Sequence, residues 1–255
     1  MNPPALHAVP APCGRCKNSD NLGFDFTMAF QPIVDCASRR IFGYEALVRG
    51  TNNESAYSII SQVTEDKLYG FDQQCRVKAI ALAAKLQLSG MLSINFLPNA
   101  IYQPERCIRS TLEAARRNGF PVEKIMFEFT ETEQAIDNKH IQHIVSYYQS
   151  LGFHTAIDDF GAGYSGLNLL ADFQTNIVKL DMALIRNIDM DQTRQIIVVS
   201  TVRMLKELNV SVLAEGIETR QEYAFLRGLG IDYAQGYYFA RPGFESLPKV
   251  DLALI

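Results

Sequence analysis

Short apolar runs alternate with longer segments of helical spacing from about residue 25 onward. The runs have the length and composition of buried strands and cover residues 28–34, 41–48, 91–96, 125–129, 154–157, 176–180, 210–214 and 233–239. Between them, apolar positions recur every three or four residues and predict helices over 76–88, 107–118, 132–150, 166–173, 193–208 and 218–228. This repeated alternation predicts an α/β fold with a mostly parallel sheet.

The number of strands and the first connection narrow the topology. Eight strands in 255 residues fit a closed (β/α)8 barrel of the TIM type, although an open doubly wound sheet gives a similar pattern. Only residues 35–40 join the first two strands, and a parallel crossover needs a dozen or more residues. We therefore predict one antiparallel pair at the start of an otherwise parallel barrel. We assign residues 1–22 to a flexible N-terminal arm and 23–255 to the barrel domain.

Composition and charge restrict the function and the compartment. The chain is 47% hydrophobic with a net charge of −4, which argues against binding to polymeric nucleic acid. No apolar stretch approaches the roughly 18–20 residues of a membrane helix, and the N-terminus lacks the pattern of a signal peptide. We therefore expect a cytoplasmic protein that is not bound to a membrane. Three methionines, Met28, Met126 and Met182, are interpreted as core residues.

The cysteines fit the same compartment. Their number is five, and they are scattered along the chain, as expected for reduced thiols rather than a disulfide framework. Cys13 and Cys16 have the spacing of half a zinc site or of a redox pair, but no second pair exists to complete a zinc site. Two interpretations of this pair therefore remain: an isolated motif in the arm without a function, or a functional thiol pair or metal-binding pair.

Polar residues recur where the predicted strands end. They are Gln31, Glu45, Asn95, Glu128, Glu131, Asp158, Asp159, Lys179, Glu215 and Gln235. In a (β/α)8 barrel the carboxyl ends of the strands converge on one face, where active sites lie. Taken singly, a carboxylate at such a position is more often a helix cap or a turn residue.

As a set, the acidic residues at the strand ends need neutralisation. They come from five places in the chain: Glu45, Glu128, Asp158, Asp159 and Glu215. Burying unpaired carboxylates is costly, and Lys179 is the one lysine in this set. Divalent cations supply the missing charge, and oxygen ligands that include Asn95 favour Mg²⁺ or Mn²⁺ over zinc. The adjacent carboxylates of Asp158 and Asp159 suit a bridge between two ions about 3.5–4 Å apart, as in two-metal phosphoryl chemistry.

Seven ordered motifs carry a family resemblance. GYEALVRG, INFLPNA, FEFTETE, AIDDFGAGYSGL, VKLD, AEGIET and QGYYFARP, spread over residues 26–242, resemble the EAL-domain phosphodiesterases. The resemblance implies a modified barrel with an antiparallel first strand. It also implies hydrolysis of cyclic di-GMP to linear pGpG with two Mg²⁺ or Mn²⁺ ions, inhibition by Ca²⁺, and a homodimer.

Residue by residue, the resemblance assigns roles to positions of this chain. It implies one metal ion on Glu45, Asn95, Glu128 and Asp158, and a second on Asp158, Asp159 and Glu215. The catalytic residues it implies are Asp159, Lys179, Glu215 and Gln235, with Lys179 orienting the attacking water and Gln235 supporting that water or Glu215. The substrate side would be formed by Gln31, Leu47, Arg49, Asp181 and Pro242, with Arg49 near a phosphate. Glu131 would anchor the loop over residues 159–165, which couples the metal site to the dimer interface.

Two departures and two alternatives accompany this interpretation. Gly50 stands where many members carry Trp, and Leu97 stands where many carry Ser, so both bear on substrate fit rather than on metal binding. One alternative is a degenerate domain that binds cyclic di-GMP or a protein without hydrolysis; such domains normally lack a ligand, whereas every ligand position here is filled. The other is a regulated subunit that acts mainly through its dimer face.

Overall fold

The strands form a closed barrel in the computed structural model, which describes residues 22–130, 138–163 and 166–255. The strands are β1 (Thr27–Asp35), β2 (Arg40–Arg49), β3 (Met91–Asn95), β4 (Ile125–Thr130), β5 (His154–Phe160), β6 (Ile177–Leu180), β7 (Ser211–Ala214), β8 (Tyr233–Gln235) and β9 (Gly243–Phe244). Neighbours from β2 to β8 pair in parallel, in chain order. β1 closes the barrel because it pairs antiparallel with both β2 and β8, and β9 extends β1 at its other end.

Helices follow most strands and cover the outside of the barrel. They are α1 (Ala56–Ile60), α2 (Leu68–Lys85), α3 (Pro104–Cys107), α4 (Arg109–Asn118), α5 (Asn138–Ser150), α6 (Gly166–Asp172), α7 (Met182–Ile185), α8 (Gln192–Glu207) and α9 (Arg220–Gly228). Local sequence sets several of their ends. Asp191 caps α8 by accepting from the amides of Thr193 and Arg194, and Thr219 and Glu222 form a capping box on α9.

The barrel and its antiparallel first pair were predicted, and both are confirmed. Most element bounds differ from the prediction by a few residues, and the larger differences fall in three places. α2 begins at Leu68 rather than at residue 76, and the predicted helix over 107–118 divides into α3 and α4. The predicted strand over 233–239 ends at Gln235, because the chain turns at Gly236 and the amide of Tyr238 donates to the carbonyl of Ile217 at 3.0 Å.

The inside of the barrel has an apolar layer below its open end. Ile33, Met126, Ala156, Ile177 and Leu213, from five strands, pack together there and are 0–3% exposed. A larger core lies between the strands and the helices, and it includes Met28 and the buried thiols Cys36, Cys75 and Cys107, which are free. Met28 and Met126 are therefore core residues as predicted.

Other predictions have different outcomes. Met182 is not a core residue, since it is 49% exposed at the start of α7. Among the described residues, no helix combines the length and the apolar character that crossing a bilayer requires. Cys13, Cys16 and Glu131 lie outside the described residues.

Candidate metal centre

The open end of the barrel carries a polar layer directly above the apolar one. Side chains of a strand alternate between its faces, so a residue two positions from an inward apolar residue also points inward. Glu128, Asp158, Lys179 and Glu215 each lie two positions after an apolar residue of the inner layer. Gln31 lies two positions before Ile33, because β1 runs antiparallel to its neighbours. The strand register thus brings residues of five strands to one mouth.

Cross-strand pairing adds two more residues to this mouth. Glu45 pairs with Gln31 across β1 and β2, and Asn95 pairs with Glu128 across β3 and β4. The amide nitrogen of Asn95 donates to Glu45 Oε1 at 2.9 Å, which leaves the Asn95 oxygen free of that bond. Gln235 Nε2 donates to Glu45 Oε2 at 2.7 Å and to Gln31 Oε1 at 3.2 Å. Amide side chains therefore fix the orientation of the Glu45 carboxylate.

Five carboxylates at the open end, here called the mouth carboxylates, form two overlapping groups: Glu45, Glu128 and Asp158, and Asp158, Asp159 and Glu215. Within each group, one ligand oxygen per residue lies within 4.8 Å of the others. Asp158 belongs to both groups. The two groups contain the acidic members of the two ligand sets that the resemblance implied, the first of which also includes Asn95. The roles of these residues in metal binding stay predictions.

Lys179 is the cation at the centre of the mouth carboxylates. Its side chain is fully buried, and its Nζ lies 2.6 Å from Glu215, 2.8 Å from Glu128, 3.0 Å from Asp158 and 3.7 Å from Glu45. Burial by itself would lower the pKa of Lys179, but the surrounding carboxylates of Asp158, Glu128 and Glu215 raise it well above its usual value. Lys179 is therefore positively charged, and four carboxyl groups surround it.

Lys179 does not compensate all the carboxylates, and the raised pKa values of three of them show this. Burial raises the pKa of Glu128 to about 8 and that of Asp159 to about 6, and the neighbouring carboxylates add to both shifts. Burial and Asp158 also raise the pKa of Glu215 well above its usual value. Glu128 Oε1 is buried without a hydrogen-bond partner. A buried, unpaired oxygen within a surplus of oxygen donors fits a hard divalent cation.

The backbone at the end of β5 is unusual. Asp159 has φ of 52°, in the left-handed region that is uncommon for residues other than glycine, and its amide donates to Asp158 Oδ1 at 2.9 Å. Gly161 follows with φ of 97°, and a Cβ there would lie 2.5 Å from Leu184. This turn makes adjacent carboxylates face one site although they are consecutive in a strand. Residues 164 and 165 of the predicted coupling loop lie outside the described residues.

A cavity of about 310 Å³ opens over the mouth carboxylates. Seven predicted site residues line it: Gln31, Glu45, Asp158, Asp159, Asp181, Glu215 and Gln235. Glu128 and Lys179 lie beneath it, both fully buried. The volume falls within the range of small-molecule sites.

Other predicted substrate residues are placed differently. Leu47, Arg49 and Pro242 do not line this cavity. Leu47 and Arg49 lie two and four positions after Glu45 in β2, so they are on the same face of the strand but nearer its carboxyl end. The Arg49 guanidinium donates to the carbonyl of Val48 at 2.7 Å. Asp181 caps α7 by accepting from the amide of Ala183 at 2.8 Å, so this residue has a structural role as well.

Five further lining residues were not predicted as site residues: Met182, Gly216, Glu218, Gly236 and Tyr237. Arg186 holds the Glu218 carboxylate with two nitrogens, at 2.8 and 2.9 Å. Tyr237 is 48% exposed, with the Arg241 guanidinium 4.2 Å from the centre of its ring. Four of the five lie inside the motifs AEGIET and QGYYFARP, so the motif positions were the signal that could have found them.

The family of the chain follows from its match to a family model. The model of the EAL domain matches residues 20–242. The chain belongs to the EAL domain family. The residues matched contain all the mouth carboxylates and the strands β1 to β8.

Curated EAL relatives are longer than this chain. One is the blue light- and temperature-regulated antirepressor BluF of Escherichia coli, 31% identical over 87% of this chain and 55% of its own length. Another is the probable cyclic di-GMP phosphodiesterase PdeG of the same organism, 27% identical over 84% of this chain and 44% of its own length. The chain thus spans about half the length of these relatives.

Solved EAL structures share the fold closely. A standalone versatile EAL protein from Vibrio cholerae, in its c-di-GMP-bound form, is 68% identical with a TM-score of 0.88, covering 91% of this chain and 98% of that one. BlrP1 from Klebsiella pneumoniae, in a manganese and cyclic-diGMP complex, is 34% identical with a TM-score of 0.83, covering 88% of this chain and 58% of that one. A divalent metal ion at the mouth carboxylates of this chain is thereby supported.

Proposed function

We propose that the chain is a phosphodiesterase that hydrolyses cyclic di-GMP to linear pGpG and so lowers the level of this bacterial second messenger. The observation that carries the proposal is the pair of carboxylate groups that share Asp158, with four of the five carboxylates lining one cavity. Relatives named as cyclic di-GMP phosphodiesterases and solved structures with cyclic di-GMP support the choice of substrate. A homodimer in the cytoplasm is part of the same proposal.

Two divalent ions, Mg²⁺ or Mn²⁺, are assigned to the mouth carboxylates. Asn95 joins Glu45, Glu128 and Asp158 in one set, and Asp158, Asp159 and Glu215 form the other. When bound, such ions polarise a phosphodiester and increase the acidity of a water molecule. Asn95 is well placed for this role, since its amide nitrogen is used by Glu45 and its oxygen is not.

The chain's own residues orient the reactants. Gln235 and Gln31 hold the Glu45 carboxylate in place, and Lys179 holds Glu128, Asp158 and Glu215 at fixed distances around one charge. We assign Lys179 and Gln235 to orienting the water. In the balanced reaction the water oxygen bonds to phosphorus, the P–O3′ bond breaks, and a proton from the water ends on the leaving 3′ oxygen. One ring opens, and no redox step is needed.

Substrate contacts are assigned to the rim of the cavity. Gln31 and Asp181 line it, while Leu47, Arg49 and Pro242 lie outside it. Arg49 would have to release the Val48 carbonyl to reach a phosphate, and a guanidinium suits two phosphate oxygens better than one carbonyl. Its part in binding is therefore proposed as a movement on substrate arrival.

The test is hydrolysis by the purified chain. With cyclic di-GMP and Mn²⁺ or Mg²⁺, chromatography should show pGpG, and chelator or excess Ca²⁺ should stop its formation. Glu45→Gln removes one assigned ligand, and because metal catalysis contributes several kcal/mol we expect a loss of about 10³-fold in kcat. Glu207→Gln, on the exposed side of α8, is the matched control and should retain the wild-type rate. Tight binding of cyclic di-GMP with no pGpG over hours would contradict the proposal.

One comparison favours a second candidate function. BluF, which is 31% identical, is named an antirepressor rather than a phosphodiesterase. A chain with that type of role would bind cyclic di-GMP or a protein partner without hydrolysis, or act mainly through its dimer face. The same assay separates the two functions, because only the phosphodiesterase forms pGpG in proportion to time.

A further inference from the structure

A fully buried ion pair lies in α2, outside the mouth carboxylates. Asp72 and Arg76, one helical turn apart, are 2% and 0% exposed, and Arg76 Nη2 lies 2.7 Å from Asp72 Oδ2. Arg76 Nη1 donates to the Tyr148 hydroxyl at 3.0 Å, and its guanidinium lies 5.0 Å from the centre of the Phe127 ring. The Arg76 Nε is buried without a hydrogen-bond partner. The pair is thus enclosed between α2 and β4 at a considerable desolvation cost.

Stability alone is a weak reason to keep such a pair. Apolar residues of similar volume in place of a buried ion pair often leave stability unchanged or improve it. A geometric role is therefore the better explanation, provided that one of the two charged side chains binds a segment whose position matters for the metal site.

Asp72 does reach such a segment. Its second oxygen, Oδ1, accepts from the backbone amide of Leu97 at 2.9 Å, two residues after Asn95. The amide of Phe96, between them, donates to the carbonyl of Glu128 at 2.9 Å. The chain that carries Asn95 out of β3 is therefore held from two sides, by β4 and by the Asp72 carboxylate.

The packing beside this segment makes the second attachment important. A cavity of about 150 Å³, lined mainly by apolar side chains such as Val48, Ile60 and Phe71, lies against Asn95 and Leu97 on the side of α2. Atoms that face a cavity have lost part of their van der Waals contacts. On this side, the Asp72 hydrogen bond supplies restraint where close packing is missing.

We propose that Asp72, held by Arg76, is a positioning residue for metal binding: it fixes the Leu97 amide and thereby the distance of Asn95 from Glu45 and Glu128. The inference rests on the metal site of the proposed function. Residues that orient metal ligands typically contribute 10- to 100-fold in metal affinity.

Two matched double variants separate the hydrogen bond from the ion pair. D72L/R76M and D72N/R76M both lose the ion pair and the bond to Tyr148. Only D72N/R76M keeps an oxygen that can accept from the Leu97 amide. If Asp72 had a purely structural role, any difference in metal affinity between the two variants would follow from their difference in stability. Urea unfolding measures that stability in parallel.

The decisive readout is Mn²⁺ affinity by calorimetry on chelator-stripped protein, without substrate. We expect D72L/R76M to bind Mn²⁺ about 10- to 100-fold more weakly than D72N/R76M, with kcat restored at saturating Mn²⁺. Equal Mn²⁺ affinities in two folded double variants overturn the inference. If D72L/R76M does not fold, replacing the Leu97 amide with an ester in the otherwise unchanged protein removes the donor itself, and an unchanged Mn²⁺ affinity overturns the inference equally. A wild type that binds Mn²⁺ but leaves cyclic di-GMP intact overturns the proposed function and leaves this inference standing.

Discussion

At the scale of single residues, Lys179 decides the charge balance of the open end. Its Nζ lies within 4 Å of Glu45, Glu128, Asp158 and Glu215, and Lys179 itself is fully buried. Its predicted position at the end of a strand was correct. The sequence showed one lysine among five acids, which was enough to predict a shortage of positive charge but not that the lysine would contact four of them.

Lys179→Met therefore has a predicted cost in stability as well as in activity. Removing one partner of a buried ion pair leaves uncompensated charge, so we expect the free energy of unfolding to fall by about 3 kcal/mol in metal-free protein. Urea unfolding in the presence of chelator measures it. Arg116→Met is the control, since it breaks an ion pair whose side chains are 77% and 57% exposed and exposed pairs contribute little. Equal effects of the two changes would show that the buried charges are not coupled as described.

At the scale of elements, alternation along the strands made much of the site predictable. Glu128 follows Met126 and Lys179 follows Ile177 by two positions, so one inward face carries both the core and the chemistry. The start of α2 was predicted eight residues too late for the opposite reason: Asp72, Gln73 and Arg76 are buried polar residues, so the first half of the helix lacks a clear apolar pattern. Met182 was misplaced because an apolar residue type does not show whether its side chain faces the core or the cavity.

The end of β8 before Gly236 is the element boundary with the clearest physical cause. A Cβ at this position would lie 2.0 Å from the Ile217 carbonyl oxygen, in the loop that follows Glu215. Gly236→Ala should therefore push this loop away from Gln235 and lower the free energy of unfolding by about 3 kcal/mol. It should also reduce the rate of hydrolysis, because a displaced Gln235 no longer holds the Glu45 carboxylate.

Gly228→Ala is the matched control for that change. A Cβ at Gly228 meets no atom within 4 Å, and the residue ends α9. We expect a gain of up to about 1 kcal/mol, because alanine restricts the unfolded chain without strain in the helix. Urea unfolding of both variants, with hydrolysis measured alongside, tests the comparison. A stability of Gly236→Ala equal to that of the wild type would mean that the loop is free to move.

At the scale of the whole molecule, the mouth carboxylates join strands that are far apart in the sequence. Glu45 lies in β2 and Glu215 directly follows β7, so ions held by the two groups, which share Asp158, would connect both halves of the barrel. A ligand that binds the folded chain alone stabilises it by RT ln(1 + [L]/Kd), about 2.7 kcal/mol at one hundred times Kd. For a chain of this size that corresponds to a rise in Tm of roughly 5–10 °C.

We therefore expect Mn²⁺ to raise the Tm of chelator-treated protein by about that amount, and Ca²⁺ to raise it as well while hydrolysis stays absent. Glu45→Gln should show a much smaller shift, because it removes a carboxylate from the group with Glu128 and Asp158. Glu113→Gln, an exposed carboxylate of α4, should show the full shift. Calorimetric scans with and without metal provide the measurement. A Tm that does not change with Mn²⁺ in the wild type would refute the assignment of ions to this site. Only the folded state brings these ligands together, so an ion bound to them must stabilise that state.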